Sequence, residues 1–481
     1  MDRLLMILVA VCLGMSPVAA RAQSALPTTI KKTMQESRIP QNSVSIYIHR
    51  IGEPGPRLAW LDDVPRNPAS TIKLLTTFAA LELLGPDFTW KTEVYTQAAP
   101  EHETLNGNLY LKGYGDPYLV SEQFWRLLRE VRYRGLKRIN GDLVLDDTYF
   151  ETEAVDPGGF DGQPHRSYNV APSAFMLNFQ SVNFLFRPGP DNQSVQIVAD
   201  PDPGLQIVNR LKVGKGGCRN WKSRVHMDVA NGKDDVIRFS GRYDRACGDK
   251  SMYRVVTDSG QYIRGVFRSL WQELGGRFEG RLLKAPVPGS ANLYFQKTSQ
   301  PLPEIIRSIN KYSNNVMTRQ LLLTLAAERG GVPGTTEKGV AVIREWLAGR
   351  GLDDPGLVLD NGAGLSRETR ISSQHMGRLL LAAYSSPRMP ELMASLPIVG
   401  TDGTLATRFA DSPATGRVHA KTGLLDDVRG LAGYVLDQHQ QRWVVVILHN
   451  HASAPHRAGE RLQSAVLSWI FSQASLESGL E

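Results

Sequence analysis

The sequence predicts an α+β fold: an antiparallel sheet flanked by helices, built from the two ends of the chain and interrupted by inserted, mainly β domains. Three observations carry this prediction. Alternating apolar runs stand near both ends, "SVSIYIHRI" from Ser43 and "GLAGYVLDQHQQRWVVVILHNH" from Gly430. Helical periodicity dominates next to them. The middle, from about Trp90 to Pro288, is instead rich in short strands and turns. At 481 residues the chain is also too long for one ordinary core.

Taken in order, the first element is "MDRLLMILVAVCLGMSPVAARAQS". Its charged start, its apolar run from Leu4 to Met15 and the small residues Ala20 and Ala22 predict a signal peptide over residues 1–22. The run is short of the roughly 20 residues that span a bilayer. The mature protein is therefore expected to be exported, to be periplasmic, and to keep no transmembrane anchor. Ser43–Ile51 reads as a strand that pairs with "RLAWL" from Arg57. "NPASTIKLLTTFAALELLGP", Asn67 to Pro86, reads as a buried helix, with Leu74, Leu75, Phe78, Ala79, Leu81 and Leu84 at helical spacing. Gly85-Pro86 marks its end. In the middle, "GNLYLKGYGDPYLV", "GDLVLDDTYF", "QSVNFLFRPGP" and "DVIRFSGRYD" read as strands and turns of one or two inserted domains. From Pro303 the chain turns helical again. A hairpin, Leu431 to Leu436 and Trp443 to Leu448, and a helix over "AGERLQSAVLSWIFSQ" close it.

Hydrophobic residues at 42% and charged residues at 21% place the chain among globular proteins. The net charge of +7 suits an acidic partner or surface. No Lys/Arg block with interleaved aromatics occurs, so nucleic acid is not an expected partner. Cys12 leaves with the signal peptide. Cys218 and Cys247 are expected to form a disulfide in an exported protein, the alternative being two free thiols. Two lone cysteines without paired histidines make a poor metal site.

One feature of the buried helix is anomalous: Lys73, three residues after Ser70. At that spacing the two side chains share a face. A serine hydroxyl needs a base to become a nucleophile. A lysine serves if desolvation or a nearby cation lowers its pKa. Ser-x-x-Lys alone is a weak signal, but two more motifs follow it. Ser313 and Asn315 stand as S-x-N where one helical stretch breaks and another begins. Lys421, Thr422 and Gly423 enter a strand that faces the final hairpin. Together, and in this order, the three motifs mark serine enzymes that react with penicillin. Motifs of unrelated hydrolases, G-x-S-x-G and H-E-x-x-H, are missing.

The chain resembles the class C low-molecular-mass penicillin-binding proteins, the D-alanyl-D-alanine carboxypeptidase/endopeptidase family. Ser313 follows Ser70 by 243 residues, which matches a large insertion, and the E-x-x-L-N motif of class A β-lactamases is absent. "LDNGAGLSRETRIS" from Leu359, "VGTDGTLATR" from Val399 and "YLKGYGDPYL" from Tyr110 add to the resemblance, which runs from about Lys32 to Ser472. It implies a penicillin-binding, transpeptidase-like domain over 23–89 and 289–481. Domain II is inserted over 90–180 and 256–288, and domain III is nested within it over 181–255.

The resemblance also implies roles. Ser70 attacks the carbonyl between two D-alanines and forms an acyl-enzyme. Lys73 takes its proton. Lys421 keeps Lys73 neutral and binds the substrate's terminal carboxylate, and Thr422 adds a hydroxyl there. Ser313 relays a proton to the leaving D-alanine, and Asn315 holds the substrate amide and Lys73. Backbone N–H groups of Ser70 and of Leu424, next to Gly423, form the oxyanion hole. Leu424 departs from the family's usual Ser or Thr, and Asn314 stands where Asp is common. Arg367 is a candidate for substrate carboxylates; Arg370 reads equally as surface. Asp161 is the candidate for the free end of the stem peptide's diamino acid, with a plain Asp-Gly turn as the alternative.

The expected function is thus a serine-type D-alanyl-D-alanine carboxypeptidase/endopeptidase acting on peptidoglycan peptides. β-Lactams are expected as covalent inhibitors, and no cofactor or metal is expected. The alternatives are a serine β-lactamase and a non-catalytic cell-wall-binding protein.

Overall fold

The computed structural model describes residues 25–153, 156–190, 193–229 and 236–477. The expected signal peptide lies outside them. Among the described residues no helix is long and apolar enough to cross a membrane.

The two ends of the chain share one sheet. Its order is Val418–Leu425, Val428–Leu436, Arg442–Asn450, Val44–Arg50, Leu58–Trp60, all antiparallel. Strand alternation sends side chains to two cores. Ile46, Ile48, Val445 and Ile447 pack under the terminal helices Thr28–Glu36 and Arg457–Glu477. Tyr47, Val444, Val446 and Leu448 face a second core with Phe78, Leu321, Leu380 and Trp346. The central strands are apolar on both faces because both faces are covered.

The α-helix begins later than Asn67, where the sequence predicts its start. Ala69–Ile72 forms a 3-10 turn, and the α-helix runs over Lys73–Leu84. Gly85 ends it at φ 87°, a conformation that favours glycine. Nine of its twelve residues are buried, Lys73 among them.

The middle of the chain is less purely β than its texture suggests. A five-stranded sheet, Leu282–Lys284, Leu143–Asp146, Leu109–Gly113, Lys91–Thr96 and Asn292–Thr298, mixes parallel and antiparallel pairs. Helices Ser121–Tyr133 and Ser259–Glu273 bury Phe124, Leu127, Val266 and Phe267 in the same core. Asn292–Thr298 pairs with Lys91–Thr96, so the strand that follows residue 288 belongs to this inserted sheet. Beyond it lie two three-stranded sheets, Lys250–Arg254, Val182–Pro188, Val195–Asp200 and Gln206–Gly214, Val236–Asp244, Val225–Val229. They face each other through Phe184, Phe186 and Phe239, with ring centroids 5.0 and 5.3 Å apart. Cys218 and Cys247 are bridged there, with Cα atoms 4.7 Å apart.

Candidate active site

Three elements from distant parts of the chain converge at the end of the terminal sheet. The first is the 3-10 turn that carries Ser70. In a 3-10 helix residues i and i+3 eclipse, which stacks Ser70 on Lys73. The turn is braced at its entry. Asn67 Oδ1 accepts from the Ala69 N–H at 2.8 Å, and Asn67 exchanges two hydrogen bonds with Asn450, of 2.8 and 2.9 Å. Ala69 holds φ 45°, an unusual value for alanine, beneath this clamp.

The second element is the break between helices Leu302–Tyr312 and Asn315–Gly330. Ser313 sits in it with left-handed backbone, φ 59° and ψ 39°. Asn314 explains the departure from Asp: its side chain caps the next helix by accepting from the Met317 N–H at 3.0 Å. Asn caps as well as Asp does.

The third element is Val418–Leu425, which carries Lys421, Thr422, Gly423 and Leu424 and is the edge strand of its sheet. Gly423 lets it lie against the serine turn. A Cβ there would stand 2.5 Å from the Pro68 carbonyl oxygen and 3.2 Å from the Ser70 nitrogen. An edge strand leaves every second backbone pair free of the sheet. Leu424 itself is exposed.

Lys73 and Lys421 are both fully buried. Lys73 Nζ lies 2.9 Å from Ser70 Oγ and 2.7 Å from Asn315 Oδ1, and it also reaches the Ala363 carbonyl oxygen. Burial, then repulsion from Lys421 and Arg319, pushes its pKa well below the ordinary lysine value. Lys421 Nζ lies 2.9 Å from Ser313 Oγ and 2.8 Å from the Thr422 carbonyl oxygen. Burial lowers its pKa to about 7. A neutral amine has two N–H donors and one lone pair. At Lys73 two neighbours, Asn315 Oδ1 and the Ala363 oxygen, can only accept. They take the donors and leave the lone pair facing the Ser70 hydroxyl. The arrangement is that of a nucleophile with its base.

Some contributors are invisible in the three motifs. Ala363 acts through its backbone, held by Asn361 Oδ1 accepting from its N–H at 3.0 Å. Arg319 is a half-buried cation one turn beyond Asn315. Thr404 Oγ1 lies 2.8 Å from Thr422 Oγ1 and doubles the hydroxyls at that end. The motif spacing holds no trace of these; "VGTDGTLATR" and "LDNGAGLSRETRIS" marked the segments of Thr404 and Ala363 only as resembling the family.

Beside this group opens a cleft of about 530 Å³, lined in part by Phe160, Asn169, Arg319, Asn361, Ser366 and Arg367. Arg367 stacks over Phe160 at 5.1 Å and pairs with Asp426 at 3.2 Å. Arg370 instead folds back onto the carbonyl oxygens of Arg367 and Thr369. Asp161 is next to the cleft. Its carboxylate accepts from Tyr168 Oη at 2.6 Å, from Asn169 Nδ2 at 2.9 Å and from the Gln163 N–H at 3.0 Å. Burial raises its pKa, but these hydrogen bonds outweigh it and hold the carboxylate below its ordinary range.

Known proteins share both the sequence and the fold. The chain is 31% identical over 446 residues to a D-alanyl-D-alanine carboxypeptidase from an Actinomadura species, covering 88% of this chain and 81% of that one. Penicillin binding protein 4 from Haemophilus influenzae has the same fold, with a TM-score of 0.77 at 23% identity over 92% of this chain and 99% of its own. The same protein complexed with a novel β-lactam gives a TM-score of 0.73, also at 23% identity, over 92% and 100%. Residues 26–469, nearly the whole described chain, match one family, and this chain belongs to it: the D-Ala-D-Ala carboxypeptidase 3 (S13) family.

Proposed function

We propose that this chain is a serine D-alanyl-D-alanine carboxypeptidase that also cleaves peptidoglycan cross-links, and that β-lactams acylate it at Ser70. One observation carries the reading: a fully buried Lys73 whose donors are spent on Asn315 and Ala363, leaving its lone pair on Ser70. Ser70 attacks the penultimate D-alanine carbonyl while Lys73 takes its proton. The Ser70 and Leu424 N–H groups receive the oxyanion. Ser313, 2.9 Å from Lys421, passes a proton to the leaving D-alanine. Lys421, Thr422 and Thr404 hold the terminal carboxylate. Water then attacks the acyl-enzyme and releases the shortened peptide. No step calls on a cofactor or metal.

The cleft beyond Asn361 receives the stem peptide. Arg367 offers a cation there, and Asp161, already ionised, offers a carboxylate to the free amine of a diamino acid. The proposed compartment is the periplasm, reached through cleavage after Ala22, where peptidoglycan and β-lactams are both encountered.

The test is intact-protein mass spectrometry after benzylpenicillin, with release of D-alanine from a pentapeptide measured alongside. Wild-type protein gains one penicilloyl adduct, and Ser70→Ala gains none and releases no D-alanine. An adduct on the alanine variant assigns the nucleophile elsewhere. Rapid penicillin turnover without D-alanine release makes the protein a β-lactamase. Asp161→Ala keeps the adduct but loses its preference for peptides with a free diamino-acid amine; a preserved preference reduces Asp161 to a turn residue.

A further inference from the structure

The chain's positive charge is not spread evenly. Residues 206–250 hold eleven Lys and Arg against five Asp, a net of +6, whereas the whole chain is +7. Its described residues belong to the sandwich of two three-stranded sheets.

The topology sends the charge to one end of that sandwich. The chain enters at Val182 and leaves at Arg254, which are paired, so both connections lie at one end. The opposite end carries Phe186, paired with Lys250, and the hairpin that pairs Pro188 with Val195. In the facing sheet Gly214 pairs with Asp244 at that same far end, because Tyr243 Oη donates to the Gly248 carbonyl oxygen at 2.7 Å. The loops there are stapled by Cys218–Cys247. They expose Lys215, Arg219, Lys222 and Arg245.

A two-strand row near that end of the sheet adds to them. Lys212 pairs with Arg242 across the parallel ladder, and both are exposed. Like charges directly opposite are destabilising, so this row opposes folding rather than aiding it. Asp244 takes up Arg242 at 3.2 Å and Arg224 at 2.8 Å. Lys212, Lys215, Arg219, Lys222 and Arg245 have no carboxylate partner among the described residues.

We propose that this tip is a docking surface for an anionic phospholipid bilayer. The charges lie on two strands and the two loop segments beyond them, and not around one point. A bilayer presents phosphates at every spacing across a plane, which such a spread can use without a built pocket. The tip also faces away from the two connections to the rest of the chain. Docking there leaves the acylating site clear, and the proposal does not depend on what that site acylates.

The test is co-sedimentation of the full mature chain with phosphatidylglycerol/phosphatidylcholine vesicles and with phosphatidylcholine vesicles. Binding is expected to the anionic vesicles only, and to fall as salt is raised. The combined variant Lys215→Gln, Arg219→Gln, Lys222→Gln, Arg245→Gln should bind at least about tenfold more weakly. A control with the same loss of charge elsewhere, Lys31→Gln, Lys32→Gln, Arg126→Gln, Lys137→Gln, should bind as wild type does; all four are exposed. Both variants should keep penicillin acylation, which shows that they fold. Equal weakening in the two variants assigns binding to net charge and overturns the proposal. So does wild-type binding to soluble polyphosphate with none to the anionic vesicles.

Discussion

At Lys73 folding and chemistry ask for the same thing. A buried ammonium is costly, and a protonated amine is useless as a base. Loss of the proton relieves both. Burial acts first on its pKa, and the nearby cations Lys421 and Arg319 add to it. Lys421 titrates near 7. Because both amines are held below their ordinary values, acylation should rise with pH through an apparent pKa well under about 10.4. That value belongs to the coupled pair. Lys73→Arg keeps a cation but cannot lose its proton in this range. Penicillin acylation measured from about pH 6 to 10 should show a rising limb in wild type and a loss of at least about 100-fold in the variant. A variant that keeps much of the rate, with a flat profile, would make Lys73 a fixed charge and not a base.

At the scale of elements, the site depends on how closely an edge strand approaches a 3-10 turn. Gly423 sets that approach. An added Cβ would meet the Pro68 oxygen at 2.5 Å and Ala69 Cβ at 3.1 Å, so strand and turn must separate. The proposed oxyanion donors come one from each element, and their separation is what the reaction reads. Gly423→Ala should therefore slow acylation by about 100-fold, with a smaller effect on thermal unfolding. An unchanged acylation rate would show that the donors lie elsewhere. The helix break works in a similar way. Ser313 occupies left-handed backbone because its neighbours hold it there: Lys311 Nζ is bound to Asp402 Oδ1 at 2.8 Å, and Asn314 caps the following helix. The buried helix, the final hairpin and the three motif segments were legible because apolar periodicity reports burial directly. The helices Ser121–Tyr133 and Ser259–Glu273 do not stand out in the sequence, although each buries a regular apolar stripe. Their flanking short strands dominated the local pattern.

At the scale of the whole molecule, the insertions and the acylating site are separate cores joined by few segments. Phe184, Phe239 and Tyr243 belong to the middle core, whereas Phe78 and Leu75 belong to the core beneath Ser70. Cys218–Cys247 spans 29 residues of the former. Its reduction should cost the sandwich roughly 3 to 4 kcal/mol in the chain-entropy account. Thermal unfolding should therefore shift downward on reduction while penicillin acylation stays near its oxidised rate. A large fall in that rate would show that the inserted domains set the geometry at Ser70.

The sequence by itself named the candidates for the chemistry: the serine, the two lysines, the asparagine between the helices and the glycine on the strand. Each is an exceptional residue type in its local setting, such as a lysine in an apolar helix, and such exceptions can be read without coordinates. It also pointed to one sheet shared by the two ends of the chain, because strand-like apolar runs stand near both ends and a helix closes the chain. Tertiary structure alone decided what completes the site. The Ala363 carbonyl has no side-chain signature. Arg319 and Thr404 are ordinary residues until folding brings them to Lys73 and Thr422. The pKa of Lys73 is likewise a property of assembly, since the solvent loss and the cations that lower it come from segments hundreds of residues away.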